Sequence, residues 1–225
     1  MFDQYSVIFD MDGVLADTGP IHFDSWVKMA NEIGYHFSKE YFEKTFGQQS
    51  PTIVRKLVGH GIEQELVEKW AALKELYYRE MVKDKLKPLP GVKRIIQELK
   101  SYGFKLAVGS SGPRENVELL INALQLKEDF DVLISATEVK NGKPAPDVFL
   151  ISAEKLKTEP KNCLVIEDAP VGIEAAKQAG MKSIALTTTR EKSELLNADL
   201  IVKDLSKVSL QDIMLLLNIV QKWVK

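Results

Sequence analysis

An α/β protein, built on a doubly wound parallel sheet and carrying one all-α insertion, is what three observations on this chain predict. The first is a short apolar run at residues 5–9 that reads as a buried strand and ends in Asp10 and Asp12. The second is the texture after residue 104, where short apolar runs alternate with helix-spaced stretches, the signature of a parallel sheet covered on both faces. The third is the stretch 20–85, helical throughout and without a convincing strand, so that a helical segment separates the first strand from all the others.

In the insertion, Leu66, Trp70, Leu73 and Tyr77 recur at helical spacing and are expected to pack a core. The glutamates and lysines of 63–87 are expected on a solvated face. Leu-Lys-Pro-Leu-Pro-Gly at 86–91 breaks the helical pattern. Val92, Ile95, Ile96 and Leu99 then mark a helix closed by Gly103. Residues 104–109 form the second strand, and Val117, Leu120, Ile121 and Leu124 mark a helix that Pro113 opens. Residues 132–136 are the third strand, and Phe149, Ala153 and Leu156 the next helix. Residues 164–167 are the fourth strand, followed by a helix at 171–179. Strands at 183–186 and 200–202 and a helix at 210–223 complete the chain, which shows no internal repeat and no low-complexity tract.

The formal charge of −2 supplies no global basic field for nucleic acid. The lone cysteine, Cys163, sits in an apolar run and reads as a small core hydrophobe, not a nucleophile. The first residues do not read as a signal peptide, there is no Asn-x-Ser/Thr site, and no apolar stretch approaches the roughly 20 residues needed to span a bilayer. A cytoplasmic monomer, with neither membrane nor nucleic-acid partner, is expected.

In doubly wound sheets, ligands bind beyond the carboxyl ends of the strands. There the first strand places Asp10 and Asp12, and the second Ser110, Ser111 and Gly112. The loop after the third carries Lys143, and the fourth strand ends in Glu167 and Asp168. Four carboxylates on one edge do not all ionise cheaply without a cation. An oxygen-rich set with no His or Cys at ligand spacing suits a hard ion such as Mg²⁺. Acidic residues at strand ends also serve as helix N-caps, which fits Asp168 taken alone. It fits Asp10 and Asp12 poorly, since Gly-Val-Leu follows them. Ser110 and Ser111 taken singly also read as a strand-ending turn, and Lys143 as a surface lysine.

Together the segments DMDGVLADT, VGSSGPREN, KNGKPAPDVF and IEDAPVGIEAAKQAG resemble, in order, the four motifs of the haloacid dehalogenase superfamily of phosphotransferases. DGVLADTGPIHFDSW is similar to its β-phosphoglucomutase-like subfamily. The resemblance implies a Rossmann-like core, residues 1–16 and 88–225, with a helical cap at 17–87. It implies Asp10 as the nucleophile that forms an aspartyl-phosphate and Asp12 as general acid and base. Mg²⁺ would be held by Asp10, the main-chain carbonyl of Asp12, and Asp168, with Glu167 at or near the metal. Ser110 would bind a phosphoryl oxygen, aided by backbone around Ser111 and Gly112, and Lys143 would neutralise the transferring group. Pro144 and Pro146 are expected to hold the Lys143 loop extended. His22 matches a residue near Asp12, and Thr18 the hinge of the mutases. His36 and His60 are expected at the surface.

The cap departs from the mutase pattern. Where mutases carry a lysine and an arginine about a Gly-Val-Ser, this chain has Phe46 and Ser50, with Gln48 and Gln49 between. Arg55 lies a helical turn farther on, Lys74 could match a mutase cap lysine, and Arg114 follows the Ser-Ser-Gly turn. A second phosphate would lose two cations there. The expected activity is a phosphatase of small phosphorylated metabolites, sugar phosphates foremost, with β-phosphoglucomutase as the alternative. Among the candidate substrate-binding residues are Ser111, Gly112, His22, Gln48, Gln49, Lys74 and Arg114. A dehalogenase would not need Asp12 or Mg²⁺, and a phospho-receiver module would lack the insertion.

Overall fold

The computed structural model describes residues 2–82 and 85–219. Its sheet holds β1 (Ser6–Phe9), β2 (Lys105–Gly109), β3 (Val132–Ile134), β4 (Cys163–Glu167), β5 (Lys182–Leu186) and β6 (Leu200–Val202), all parallel. The order is β3-β2-β1-β4-β5-β6. The central strands are continuous apolar runs because both of their faces are covered. Alternate residues of β1 serve opposite layers. Val7 and Phe9 join Leu106, Val108, Leu164 and Ile166 in one core cluster. This cluster lies under α5 (Val92–Ser101), α6 (Arg114–Ala123) and α9 (Leu210–Leu216). Ile8 joins Ala107, Val165 and Ile134 under α7 (Asp147–Leu156) and α8 (Pro170–Gln178). Strand order reverses between β1 and β4, which places the switch-point crevice at the ends of those two strands.

Between β1 and α5 lie α1 (Gly19–Glu32), α2 (Lys39–Thr45), α3 (Ser50–Val58) and α4 (Gln64–Val82). They enclose a core of their own, with Trp26 stacked on Phe37 at 5.1 Å and Ile53, Val54, Val67 and Ala71 around it. The outgoing and returning chains run side by side: Ala16 bridges to Asp12 and Pro88, and Leu89 N–H donates to the Leu15 carbonyl at 2.9 Å. Among the described residues no helix is long and apolar enough to cross a membrane. Cys163 is buried, and burial pushes its thiol up to about 12, so it is inert at neutral pH.

Several expectations need correction. The buried stripe of α4 is Val67, Ala71, Lys74, Glu75, Tyr78 and Val82, one residue out of step with the apolar repeat in the sequence. Leu66 is 39% exposed. The third strand stops at Ile134, because Ser135 and Glu138 form a reciprocal cap on the helical turn Ala136–Glu138. The Lys143 loop is not extended. Its Lys143–Pro144 bond is cis, Pro146 is helical at φ −78°, and Ala145 N–H closes a turn on the Gly142 carbonyl at 3.0 Å. The last helix ends at Leu216, and Asn218 follows at φ 55°. The remainder of the expected helix, 220–223, lies outside the described residues.

Candidate active site

The ends of β1 and β4 build the floor of the site. Asp10 N–H donates to the Ile166 carbonyl at 2.9 Å, which carries the ladder one residue past β1. Lys143 reaches up through the sheet edge with its side chain 1% exposed. Its three ammonium protons meet three acceptors: Asp10 Oδ1 at 2.5 Å, Glu167 Oε1 at 2.8 Å and the Gly109 carbonyl at 3.2 Å. Burial alone would lower Lys143, but the two carboxylates outweigh it and hold it above its ordinary value. Glu167 Oε2 in turn accepts N–H bonds from Asp168 and Ala169, both at 2.7 Å, at the start of α8.

One ammonium does not balance this edge. Burial raises Asp10 to about 7, helped by the charges of Glu167 and Asp12 and opposed by Lys143. Burial, Glu167 and Asp10 likewise hold Asp168 well above the usual carboxylate range, against the Thr189 hydroxyl and Arg190. Asp10, Glu167 and Asp168 offer oxygens within 4.8 Å of one another. Two glycines make the room. A Cβ on Gly13, at φ +77°, would sit 2.2 Å from Asp168 Oδ2, and one on Gly172 would sit 1.7 Å from Glu167 Oε1. Three crowded, buried, oxygen-only ligands with residual negative charge fit a hard divalent cation.

Asp12 lives in a different environment. Its Oδ1 accepts from Thr18 Oγ1 at 2.5 Å and contacts His22 Nε2 at 3.1 Å. Burial would raise its pKa, but His22, the Thr18 hydroxyl and Lys74 outweigh it and hold it below the usual range. Lys74 Nζ lies 2.7 Å from His22 Nδ1. An ammonium only donates, so Nδ1 accepts and Nε2–H points at Asp12. Tyr78 stacks on the His22 ring at 3.9 Å. Ser110 Oγ accepts from Gly112 N–H at 3.0 Å, which closes the turn after β2. Ser111 Oγ, at the mouth of this turn, is buried with no hydrogen-bond partner among the described residues.

One cavity gathers Asp10, Asp12, His22, Ser111, Gly112 and Asp168 with Phe46, Gln48, Ser50, Lys74 and Glu75 of the insertion. Gln48 Oε1 accepts from Lys56 Nζ at 2.6 Å. Two expected contacts are not brought there. Arg114 turns to Glu118 at 2.8 Å, the Leu133 carbonyl at 2.8 Å and Glu138 at 3.2 Å, bracing α6 against the end of β3. Gln49 packs at Gly142, whose Cβ would lie 2.7 Å from its Cδ, and borders a neighbouring groove. Arg55 donates to the Gly59 and Ile62 carbonyls and to Gln64, tying off the α3–α4 turn. His36 and His60 are exposed.

Sequence reasoning missed four residues. Glu75, expected on a solvated face, is buried and takes Ser50 Oγ, Lys74 Nζ at 3.0 Å and Asn116 Nδ2 at 2.6 Å. Asn116, on α6, also accepts from Arg79 at 3.0 Å, so one buried amide joins α4 to the sheet layer. Thr189 donates to Asp168, and the next residue, Arg190, donates to the Glu43 and Phe46 carbonyls of the insertion. None of the four left a signal in the sequence: the apolar repeat of α4 points one residue away from the buried 67-71-74-75-78-82 face that carries Glu75.

The family model described as haloacid dehalogenase-like hydrolase matches residues 7–186. The chain belongs to that family. A β-phosphoglucomutase from Bacillus subtilis is 33% identical to this family member over 215 residues, 92% of each chain. A phosphorylated carbohydrates phosphatase from Thermotoga maritima is 32% identical over 183 residues, 80% of this chain and 83% of its own. The crystal structure of a β-phosphoglucomutase from Clostridium difficile superposes with a TM-score of 0.88 at 28% identity, covering 97% of this chain and 99% of that one. Within the family, this β-phosphoglucomutase-like haloacid dehalogenase is a phosphoric monoester hydrolase or phosphomutase.

Proposed function

We propose that the protein is a Mg²⁺-dependent phosphatase of small phosphorylated metabolites, sugar phosphates foremost. Residues 17–87 would serve as a cap over a core of 1–16 and 88–225. The observation that carries the choice of phosphatase is the state of Lys74, the one lysine or arginine among the described residues that line the cavity. Lys74 is 2% exposed, and its ammonium is committed to His22 and Glu75. Arg55 does not line the cavity and is committed to the α3–α4 turn. Among the described residues lining the cavity from the insertion, no free cation remains to grip a second phosphate, which a mutase cycling through a bisphosphate requires. The mutase remains the second reading, favoured by the Bacillus subtilis relative and by the position of Lys74.

In this mechanism an Asp10 carboxylate oxygen attacks phosphorus and the ester oxygen leaves. Asp12, aimed by Thr18 and His22 and ionised before substrate binds, takes the proton of a monoanionic phosphate ester and gives it to that oxygen. Asp12 then takes a proton from water as the water oxygen bonds to phosphorus and the Asp10–phosphorus bond breaks. Lys143 offsets the negative charge around Asp10, and the free Ser111 hydroxyl and the Ser110 turn receive phosphoryl oxygens. Held by Asp10, the Asp12 carbonyl and Asp168 with Glu167 beside them, Mg²⁺ would neutralise phosphoryl charge. The test is one reaction with Mg²⁺, β-glucose 1-phosphate and a trace of glucose 1,6-bisphosphate. Free phosphate is the expected product. Glucose 6-phosphate without free phosphate would make the enzyme a mutase.

A further inference from the structure

The insertion brings one carboxylate into the cavity, and the mechanism above does not use it. Glu75 is 6% exposed and lines the same cavity as Asp10 and Asp12. A carboxylate buried on the side where a leaving group must lie is costly unless it is compensated. Its compensation is specific. Oε1 takes Ser50 Oγ and Lys74 Nζ, and Oε2 takes Asn116 Nδ2. Three of about four acceptor positions on an ionised carboxylate are therefore filled, and one remains.

We propose that Glu75 selects the leaving group: its carboxylate accepts a hydrogen bond from a hydroxyl of a neutral polyol and turns away a leaving group that carries a second phosphate. The proposal rests on the phosphatase reading and gives it a substrate class, monophosphate esters of polyhydroxylated metabolites. The charge count supports it. Of the insertion's residues that line the cavity, Lys74 is the one lysine or arginine and Glu75 the one aspartate or glutamate, and they pair at 3.0 Å. His22 spends one ring nitrogen on Lys74 and the other on Asp12. A second phosphate placed here would meet no uncompensated cation and one adjacent anion. A sugar hydroxyl would meet acceptors in Glu75 and the Ser50 oxygen, whose own proton goes to Glu75, and a donor in the Gln48 amide N–H group. Replacing the carboxylate by an amide reverses the balance, because Lys74 then stands uncompensated.

The experiment measures phosphate release from glucose 1-phosphate and from glucose 1,6-bisphosphate by wild type, Glu75→Gln and Glu75→Asp. Wild type is expected to favour the monophosphate in kcat/KM by about tenfold or more, the scale on which like-charge juxtaposition discriminates between partners. Glu75→Gln should lower that ratio by about tenfold, chiefly through a smaller KM for the bisphosphate, while Glu75→Asp, which keeps the charge, should hold it within about threefold. A structural role for Glu75 would depress both substrates together and leave the ratio where it was, and that result overturns the proposal. If Glu75→Gln does not fold, the wild-type ratio decides alone: equal phosphate release from both esters overturns the proposal. Failure of the phosphatase reading is separately visible, as glucose 6-phosphate formed from glucose 1-phosphate without free phosphate.

Discussion

Asp10 and Asp12 are one residue apart, and their surroundings push them in opposite directions. Asp10 shares Lys143 with Glu167 and is raised to about 7 mainly by burial, whereas Asp12 is held low by His22, Thr18 and Lys74 against the cost of its burial. Exchanging Asp10 for asparagine removes the attacking oxygen without removing volume. Asp10→Asn should lower turnover by ~10³-fold or more while the protein still melts cooperatively; wild-type-like turnover would exclude Asp10 as nucleophile. Glu75 gives a pH prediction. Its burial raises its pKa, but Lys74, His22 and Ser50 bring it below the ordinary 4.5. A carboxylate lowered on folding contributes stability above its unfolded pKa and loses it as pH falls through the folded value. The stability gap between wild type and Glu75→Gln should therefore be open at pH 7 and shrink as pH drops below about 4.5 in denaturant titrations. A gap constant with pH would mean that the Glu75 charge is not what its partners stabilise.

At the scale of elements, α8 and β4 meet where a side chain has no room. Gly172 faces Glu167, whose carboxylate is pinned by two N–H groups and Lys143 and has no slack to yield. Gly172→Ala should cost about 1–3 kcal/mol of stability and weaken Mg²⁺ binding about tenfold or more. Calorimetry with and without Mg²⁺ checks both, and an unchanged affinity would mean that Glu167 does not help to set the metal site. The strands and most helices were legible in the sequence because continuous apolar runs and Pro or Gly breaks mark elements whose neighbours hardly matter. The face of α4 was not legible. Trp70, Leu73 and Tyr77 are only partly buried over their cluster, while the apolar-looking repeat hides that Lys74 and Glu75 are bought into the interior by mutual pairing. Arg114 misled for a related reason. Its place after the Ser-Ser-Gly turn says nothing of Glu118 and Glu138, which claim it through the fold.

For the molecule as a whole, the site lies at the switch point of the sheet, and the insertion closes it from above. The four motif carboxylates were legible because each ends a strand, and strand ends converge in this topology. Thr189, Arg190 and Asn116 were not, since each acts through a partner over 20 residues away. Mg²⁺ at 100 times its Kd should stabilise the protein by about 2.7 kcal/mol. It should raise Tm by several degrees, as expected for a chain of this size. Chelation should stop turnover, and Ca²⁺ should not restore it, because its looser coordination misplaces the nucleophile. Full activity in excess chelator would remove the metal from the mechanism. A cross-link joining residues 79 and 116, whose side chains meet at 3.0 Å, should hold α4 on α6 and block turnover until it is cut. Undiminished turnover in the linked protein would mean that substrate enters without cap movement.

Arg190 holds the insertion by main-chain carbonyls, those of Glu43 and Phe46, and among the described residues by no side-chain hydrogen bond there. Main-chain acceptors survive a change of residue. The cavity-lining side chains at Gln48 and Ser50 can therefore change while this clasp persists, whereas Gly47, at φ 97°, has no room for one beside Ala169. Point changes at those two positions would alter the cavity wall without loosening this clasp, because a backbone acceptor is indifferent to the residue that carries it.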